Sequence, residues 1–185
     1  MKKKAVFLDR DGVINEDKGY VHKIKDFFIY PEVFPALRKL QESGFKLIVI
    51  TNQSGIAVGY YTEEDFHNIT KYMLNLLEKE DIKIEKVYYC PHHPEGIIPE
   101  LKMKCNCRKP ESGMIKQAIK EFDIDPSNSF LIGDKETDIM AGHKEGIKSI
   151  LVKTGQGMKY VKDTKADFVA KNILDAVENF ILKNN

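Results

Sequence analysis

Two aspartates two positions apart, Asp9 and Asp11 in "AVFLDRDGVIN", follow a short apolar run and precede a glycine. In extended backbone, residues at i and i+2 share a face, so both carboxylates can meet one cation, and Gly12 lets backbone come close to a ligand. Asp134 in "GDKETD" can add the further oxygen that a hard ion such as Mg²⁺ requires. The expected magnesium set is therefore Asp9, Asp11 and Asp134, with Asp138 one helical turn on as a helper. Thr51 offers a hydroxyl, and the turn from position 52 to 55 in "TNQSG" offers N–H groups suited to phosphate oxygens. Each residue alone reads as a turn former or helix cap. Their conjunction, with a lysine nearby, is the equipment of phosphoryl transfer.

A second cluster lies in "CPHHPEGIIPELKMKCNCRKP", which holds all three cysteines. Cys90-x-His92, twelve intervening residues and Cys105-x-Cys107 supply three sulfurs and one imidazole, a closed tetrahedral set for Zn²⁺. His93 competes with His92, since both belong to one short loop. A closed set keeps no position for water, so the expected zinc is structural. A basic recognition helix and wider Cys-x-x-Cys spacing are missing, which argues against a nucleic-acid module. Arg108 and Lys109 follow Cys107 directly, so a metal clip would fix the path of roughly 20 residues that lack helix or strand patterning.

These residues must be held by a scaffold, and apolar bursts alternate with helical patterns along the chain. Strands are expected over 5–9, 45–51, 86–90, 129–134 and "KSILVK". Helices are expected over 34–44, from Thr62 as cap through Leu77, about 112–122 and about 136–144, and "ADFVA" and "NILDAVENFIL" finish the chain. This βα alternation predicts a doubly wound α/β fold with a mostly parallel sheet, whose sites lie at the carboxyl ends of the strands. Asp9, Thr51 and Asp134 all fall there.

The 185 residues, 42% hydrophobic and 31% charged, suit one domain spanning 1–185. With 29 Lys plus Arg against 28 Asp plus Glu, the net charge of +1 provides no general field toward nucleic acid or membrane. "MKKK" is followed by too short an apolar run for a signal core, and three crowded cysteines suit reduced thiolates, so a cytoplasmic monomer is expected.

"DRDG", "TNQSG", "RKP" and "GDKETD" resemble, in that order, the four motifs of the haloacid dehalogenase (HAD) superfamily of phosphatases. The resemblance spans roughly residues 5–155; Val13 stands where many members have Thr, at a position outside the chemistry. It implies Asp9 as the nucleophile that becomes an aspartyl phosphate. Asp11 would protonate the leaving oxygen and then activate water, with its carboxyl turned away from the metal. Thr51 and Lys109 would stabilise the transferring group, and Asp134 would help hold Mg²⁺. The short segments 12–33 and 52–62 leave no room for a separate cap domain.

Within the superfamily the cysteine loop looks like that of the D-glycero-D-manno-heptose 1,7-bisphosphate 7-phosphatases. It is also similar to that of the histidinol-phosphate phosphatases, whose gap between the pairs is shorter. The resemblance implies a small phosphosugar substrate contacted by Asp17, Lys18, Gly19, Tyr20, Thr51, Asn52, Gln53, Ser54, Arg108, Lys109 and Lys135. The rivals are a histidinol-phosphate or other small phosphate-ester phosphatase, a phospho-accepting signalling domain, and a silent zinc scaffold. The signalling domain would carry its acceptor on a middle strand, whereas the third strand here ends in Cys90.

Overall fold

The computed structural model describes residues 2–184. Six strands form one sheet in the order β3-β2-β1-β4-β5-β6. They are β1 (Ala5–Leu8), β2 (Lys46–Asn52), β3 (Ile84–Cys90), β4 (Phe130–Gly133), β5 (Lys148–Val152) and β6 (Phe168–Ala170). Every strand pairing within the sheet is parallel, as expected of strands joined through helical crossovers. The helices are α1 (Val33–Glu42), α2 (Glu63–Glu78), α3 (Gly113–Phe122), α4 (Glu136–His143) and α5 (Ile173–Ala176), the last running into a wider π turn over Val177–Ile181.

Period-two alternation along the strands divides the core between two faces. Val6 and Leu8 of β1 join Val49, Ile132 and Ile150 in a cluster with α1, α2 and α5. Ala5 and Phe7 join Ile48, Ile50 and Leu131 on the opposite face with α3 and α4. Both faces are thus covered, which explains why the strands read as nearly unbroken apolar runs.

Local signals account for the ends of the elements. Thr62 caps α2 in a reciprocal capping box with Asp65, and Glu63, Glu64 and Asp65 place negative charge at the helix N-terminus. Gly44 takes φ +81° just past α1, a left-handed turn that glycine adopts without strain. The segment between β3 and α3 is not wholly irregular, because a 3₁₀ turn forms over Pro99–Leu101.

The chain runs from β1 to β2 and β3 on one side, then crosses to β4 on the other. A crevice therefore opens between β1 and β4 at their carboxyl ends, the switch point of a doubly wound sheet. Among the described residues no separate cap stands over it. Among the described residues no helix is long and apolar enough to cross a membrane.

Candidate functional site

The ends of β1, β2 and β4 converge on Lys109. Its ammonium lies 3.0 Å from Asp9 Oδ1 and 2.7 Å from Asp138 Oδ1, and donates to Ile50 O at 2.7 Å. Asn52, the last residue of β2, grips the lysine backbone from both directions. It accepts from Lys109 N and donates to Lys109 O, each at 3.0 Å. Burial alone would push the Lys109 ammonium down, but the charges of Asp138 and Asp9 outweigh it and hold the group cationic. Burial likewise pushes the Asp9 carboxyl up, with Lys109 opposing.

Asp134 sits beside this pair with no solvent exposure. Its Oδ2 accepts from Gln156 N at 2.7 Å, whereas its Oδ1 is buried with no hydrogen-bond partner. The nearest cation is Lys135 Nζ, 3.7 Å away. Burial and the neighbouring Asp9 push the Asp134 carboxyl up to about 7. Gly12, at φ +86°, passes so close that a Cβ there would collide with the Asp134 carboxylate, and a Cβ on Gly155 would do the same. Two glycines from separate loops thus make the cradle for one acid. Asp9, Asp134 and Asp138 offer oxygens that all lie within 4.8 Å of one another. An unpartnered buried oxygen in an all-carboxylate set fits a hard cation.

The Asp11 carboxylate is not part of that cluster, which corrects the expectation that it shares a face with Asp9; it is turned away from the acidic oxygens. β1 ends at Leu8 and the chain bends at Arg10, so the i, i+2 rule of extended backbone no longer applies. The Asp11 carboxylate faces the cleft instead, accepting from Arg10, from Asn15 Nδ2 at 3.0 Å and from Gln53 Nε2 at 3.1 Å. Asp138, expected only as a helper, takes the vacant corner and also secures Lys109.

A cleft of about 320 Å³ opens in front of these groups. Of the residues expected to meet substrate, Asp17, Gly19, Tyr20, Asn52, Gln53, Ser54 and Lys135 line it. Asp17 is anchored by Gly19 N at 2.9 Å and faces Lys135 Nζ at 3.5 Å. Lys135 is raised despite its burial, because Asp9, Asp134 and Asp17 surround it. Thr51 is buried behind the cleft, its hydroxyl accepting from Gln53 Nε2 at 2.8 Å. Lys18 points elsewhere, pairing with Glu16 at 3.1 Å and lying over the Phe28 ring. Arg108 is half-buried and donates to His92 O at 3.3 Å.

Gln156, Tyr61 and Tyr160 also line the cleft and were missed in the sequence. Gln156 follows the end of β5 in "TGQG", so the strand-end rule would have found it had it been applied to that strand. Tyr61 carries no such signal. Its hydroxyl donates to Gln53 Oε1 at 2.5 Å, which orients the amide so that its NH₂ faces Asp11 and Thr51.

The cysteine segment folds into a tight cluster. The Sγ atoms of Cys90 and Cys107 are 2.9 Å apart, those of Cys105 and Cys107 3.2 Å, and those of Cys90 and Cys105 3.4 Å. His92 Nδ1 lies 3.4 Å from Cys107 Sγ and 3.7 Å from Cys90 Sγ. Zn–S bonds of about 2.3 Å give tetrahedral edges of about 3.8 Å, so the four donors can enclose that ion with slight expansion. The choice between neighbouring histidines falls to His92, because His93 Nδ1 instead accepts from Glu95 N at 3.1 Å.

Residues 106–176 match the HAD-hydrolase-like family. A Haemophilus ducreyi protein named D-glycero-beta-D-manno-heptose-1,7-bisphosphate 7-phosphatase is 47% identical over 179 residues, covering 96% of this chain and 98% of its own. The chain belongs to the heptose-1,7-bisphosphate 7-phosphatase family. This is a family of HAD-type phosphomonoester hydrolases. A Photorhabdus laumondii member, named for the alpha bisphosphate, is 43% identical over 185 residues, covering 100% of this chain and 93% of its own. The D,D-heptose 1,7-bisphosphate phosphatase from B. bronchiseptica, solved with magnesium and phosphate, superimposes with a TM-score of 0.87 at 27% identity, covering 97% of this chain and 99% of its own.

Proposed function

We propose that this protein removes the 7-phosphate of D-glycero-D-manno-heptose 1,7-bisphosphate and leaves the heptose 1-phosphate, acting as one domain over 1–185. What carries the choice of substrate is the 47% identity, across nearly all of both chains, to a relative named for that reaction. The reduced Cys/His cluster suits a cytoplasmic setting, and the protein works there as a monomer.

In the first step Asp9 attacks phosphorus, the bond to the C7 oxygen breaks, and Asp11 gives that oxygen its proton. In the second, water attacks the aspartyl phosphate, Asp11 takes its proton and Asp9 is released. The buried Lys109 ammonium, 3.0 Å from Asp9, offsets the repulsion between carboxylate and phosphate. Asp9 and Asp134 would hold Mg²⁺, with Asp138 beside them, and such an ion supplies positive charge at the phosphoryl oxygens when bound. Cys90, His92, Cys105 and Cys107 would hold Zn²⁺, whose role is to fix the loop that ends in Lys109. Lys135, Asp17 and Tyr20 would receive the sugar in the cleft. Arg108 and Lys18 would meet the distal phosphate after moving from their present partners.

The test is phosphate release from the alpha and beta heptose bisphosphates and from histidinol phosphate, compared by kcat/KM. The bisphosphates should lead by at least about tenfold, since the second phosphate adds charge for lysine and arginine to recognise. A preference for histidinol phosphate would overturn the assignment.

Magnesium binding should depend on pH in a defined direction. The Asp134 carboxyl, raised to about 7, must lose its proton to act as a ligand. Apparent affinity should therefore climb roughly tenfold per pH unit below that value and level off above it. Calorimetry at pH 6 in buffers of differing ionisation enthalpy counts the proton released; zero release would contradict the prediction.

A further inference from the structure

Arg10 stands between the two catalytic aspartates and has no part in the reaction just described, yet it is only 1% exposed. Its guanidinium wraps the neighbouring acid. Nε donates to Asp11 Oδ2 at 3.2 Å, and Nη2 donates to Oδ2 at 2.8 Å and to Oδ1 at 2.9 Å. The same Nη2 donates to Val21 O at 2.9 Å, and the Phe66 ring lies 5.8 Å from Cζ. Nη1 is buried without a hydrogen-bond partner.

Burying a guanidinium with one nitrogen unsatisfied is a poor way to stabilise a fold, because desolvation can exceed what the ion pair returns. The geometry instead suits control of a carboxylate. A planar fork fixes the plane of the carboxyl group, whereas the single amide donors of Asn15 and Gln53 each touch only one oxygen. A guanidinium offers donors alone, so it is matched to the ionised, proton-accepting form of its partner. Val21 closes the segment that carries Asp17, Gly19 and Tyr20 to the cleft, so the same nitrogen touches both the acid and the base of that segment.

We propose that Arg10 is a positioning residue for the second step: it holds the Asp11 carboxylate facing the cleft and out of the acidic cluster, and couples that orientation to the 17–21 segment. The inference rests on the roles given above to Asp9 and Asp11. In this step a water oxygen bonds to phosphorus and the P–O bond to Asp9 breaks. Its electron pair returns to the Asp9 carboxylate, and the water proton passes to Asp11. Loss of Arg10 leaves the Asp11 carboxylate free to rotate, which slows breakdown of the aspartyl phosphate more than its formation.

The experiment uses the full chain with p-nitrophenyl phosphate, whose leaving oxygen departs without needing a proton. Arg10→Lys keeps the charge but cannot chelate both oxygens together with Val21. Arg10→Gln leaves a single neutral donor and no buried charge, so it carries the test should the lysine variant fail to fold. Acid quenching should reveal accumulated phosphoenzyme, with breakdown slowed roughly tenfold or more, in keeping with a misplaced general base. The rate of the first turnover should stay within about threefold of the parent. Equal slowing of both steps, as a purely structural residue would give, or breakdown at the parental rate, overturns the proposal. Asp11→Asn separates the two levels. If it accumulates phosphoenzyme while the Arg10 variants do not, the inference about Arg10 fails alone; if it breaks down at the parental rate, the role of Asp11 fails with it.

Discussion

Asp9→Asn should yield a folded protein with its zinc content intact and phosphate release reduced by on the order of 10⁴-fold or more, the scale on which removal of a nucleophile acts. The amide is nearly isosteric but has no anionic oxygen to attack phosphorus. Asp9 lies just past β1 at the mouth of the crevice, so the sheet and its two apolar faces do not depend on its charge. Its removal does leave Lys109, among the described residues, with Asp138 as its one carboxylate partner, so a modest fall in thermal midpoint should accompany the loss. Phosphate release, thermal denaturation and metal analysis on one preparation check all three parts. Retained turnover would remove Asp9 from the nucleophile role.

The second large effect is expected at a residue that does not enter the cleft. Cys107→Ala should abolish zinc retention and lower kcat by roughly 10²-fold, the upper range for residues that orient an active group through others. Cys107 is two positions from Lys109, and its sulfur is 2.9 Å from that of Cys90 at the end of β3. Opening the cluster frees the loop between β3 and α3, leaving Asn52 as the main restraint on the lysine backbone. A cost of several kcal/mol in stability should accompany it, since structural zinc sites bind their folded form. Metal content and kcat measured together decide the matter: full activity in a zinc-free variant would refute a scaffolding role for the cluster.

Much of this architecture was readable because the informative signals are local. The alternation of apolar strands with helical patterns marks the first five strands and the first four helices to within a few residues, whereas the short β6 and α5 carry too few residues for a clear period, and Thr62 announces its helix through a capping box that needs only four residues to form. The failures come where side-chain direction depends on tertiary partners. The i, i+2 rule of extended backbone puts the Asp11 carboxylate beside that of Asp9, but β1 ends at Leu8 and the bend at Arg10 turns it instead toward Asn15 and Gln53. Lys18 and Arg108 are cations in the expected segments, yet each is held by a neighbour that periodicity does not reveal, Glu16 and the His92 carbonyl. Tyr61 acts through an amide eight residues earlier in the chain, and nothing in its spacing marks it.

The carboxylate cluster and the thiolate–imidazole cluster share no residue. Zinc outranks magnesium at almost any common donor, so a protein that held both ions would face mis-metallation. Separating the soft donors from the hard ones lets ligand chemistry do the sorting. A zinc ion held by the sulfur site would stay there, while the carboxylates would exchange with an abundant, weakly held ion of the surrounding solution. The separation of the two clusters is in this sense an address system, one that would keep a structural ion from becoming an inhibitor.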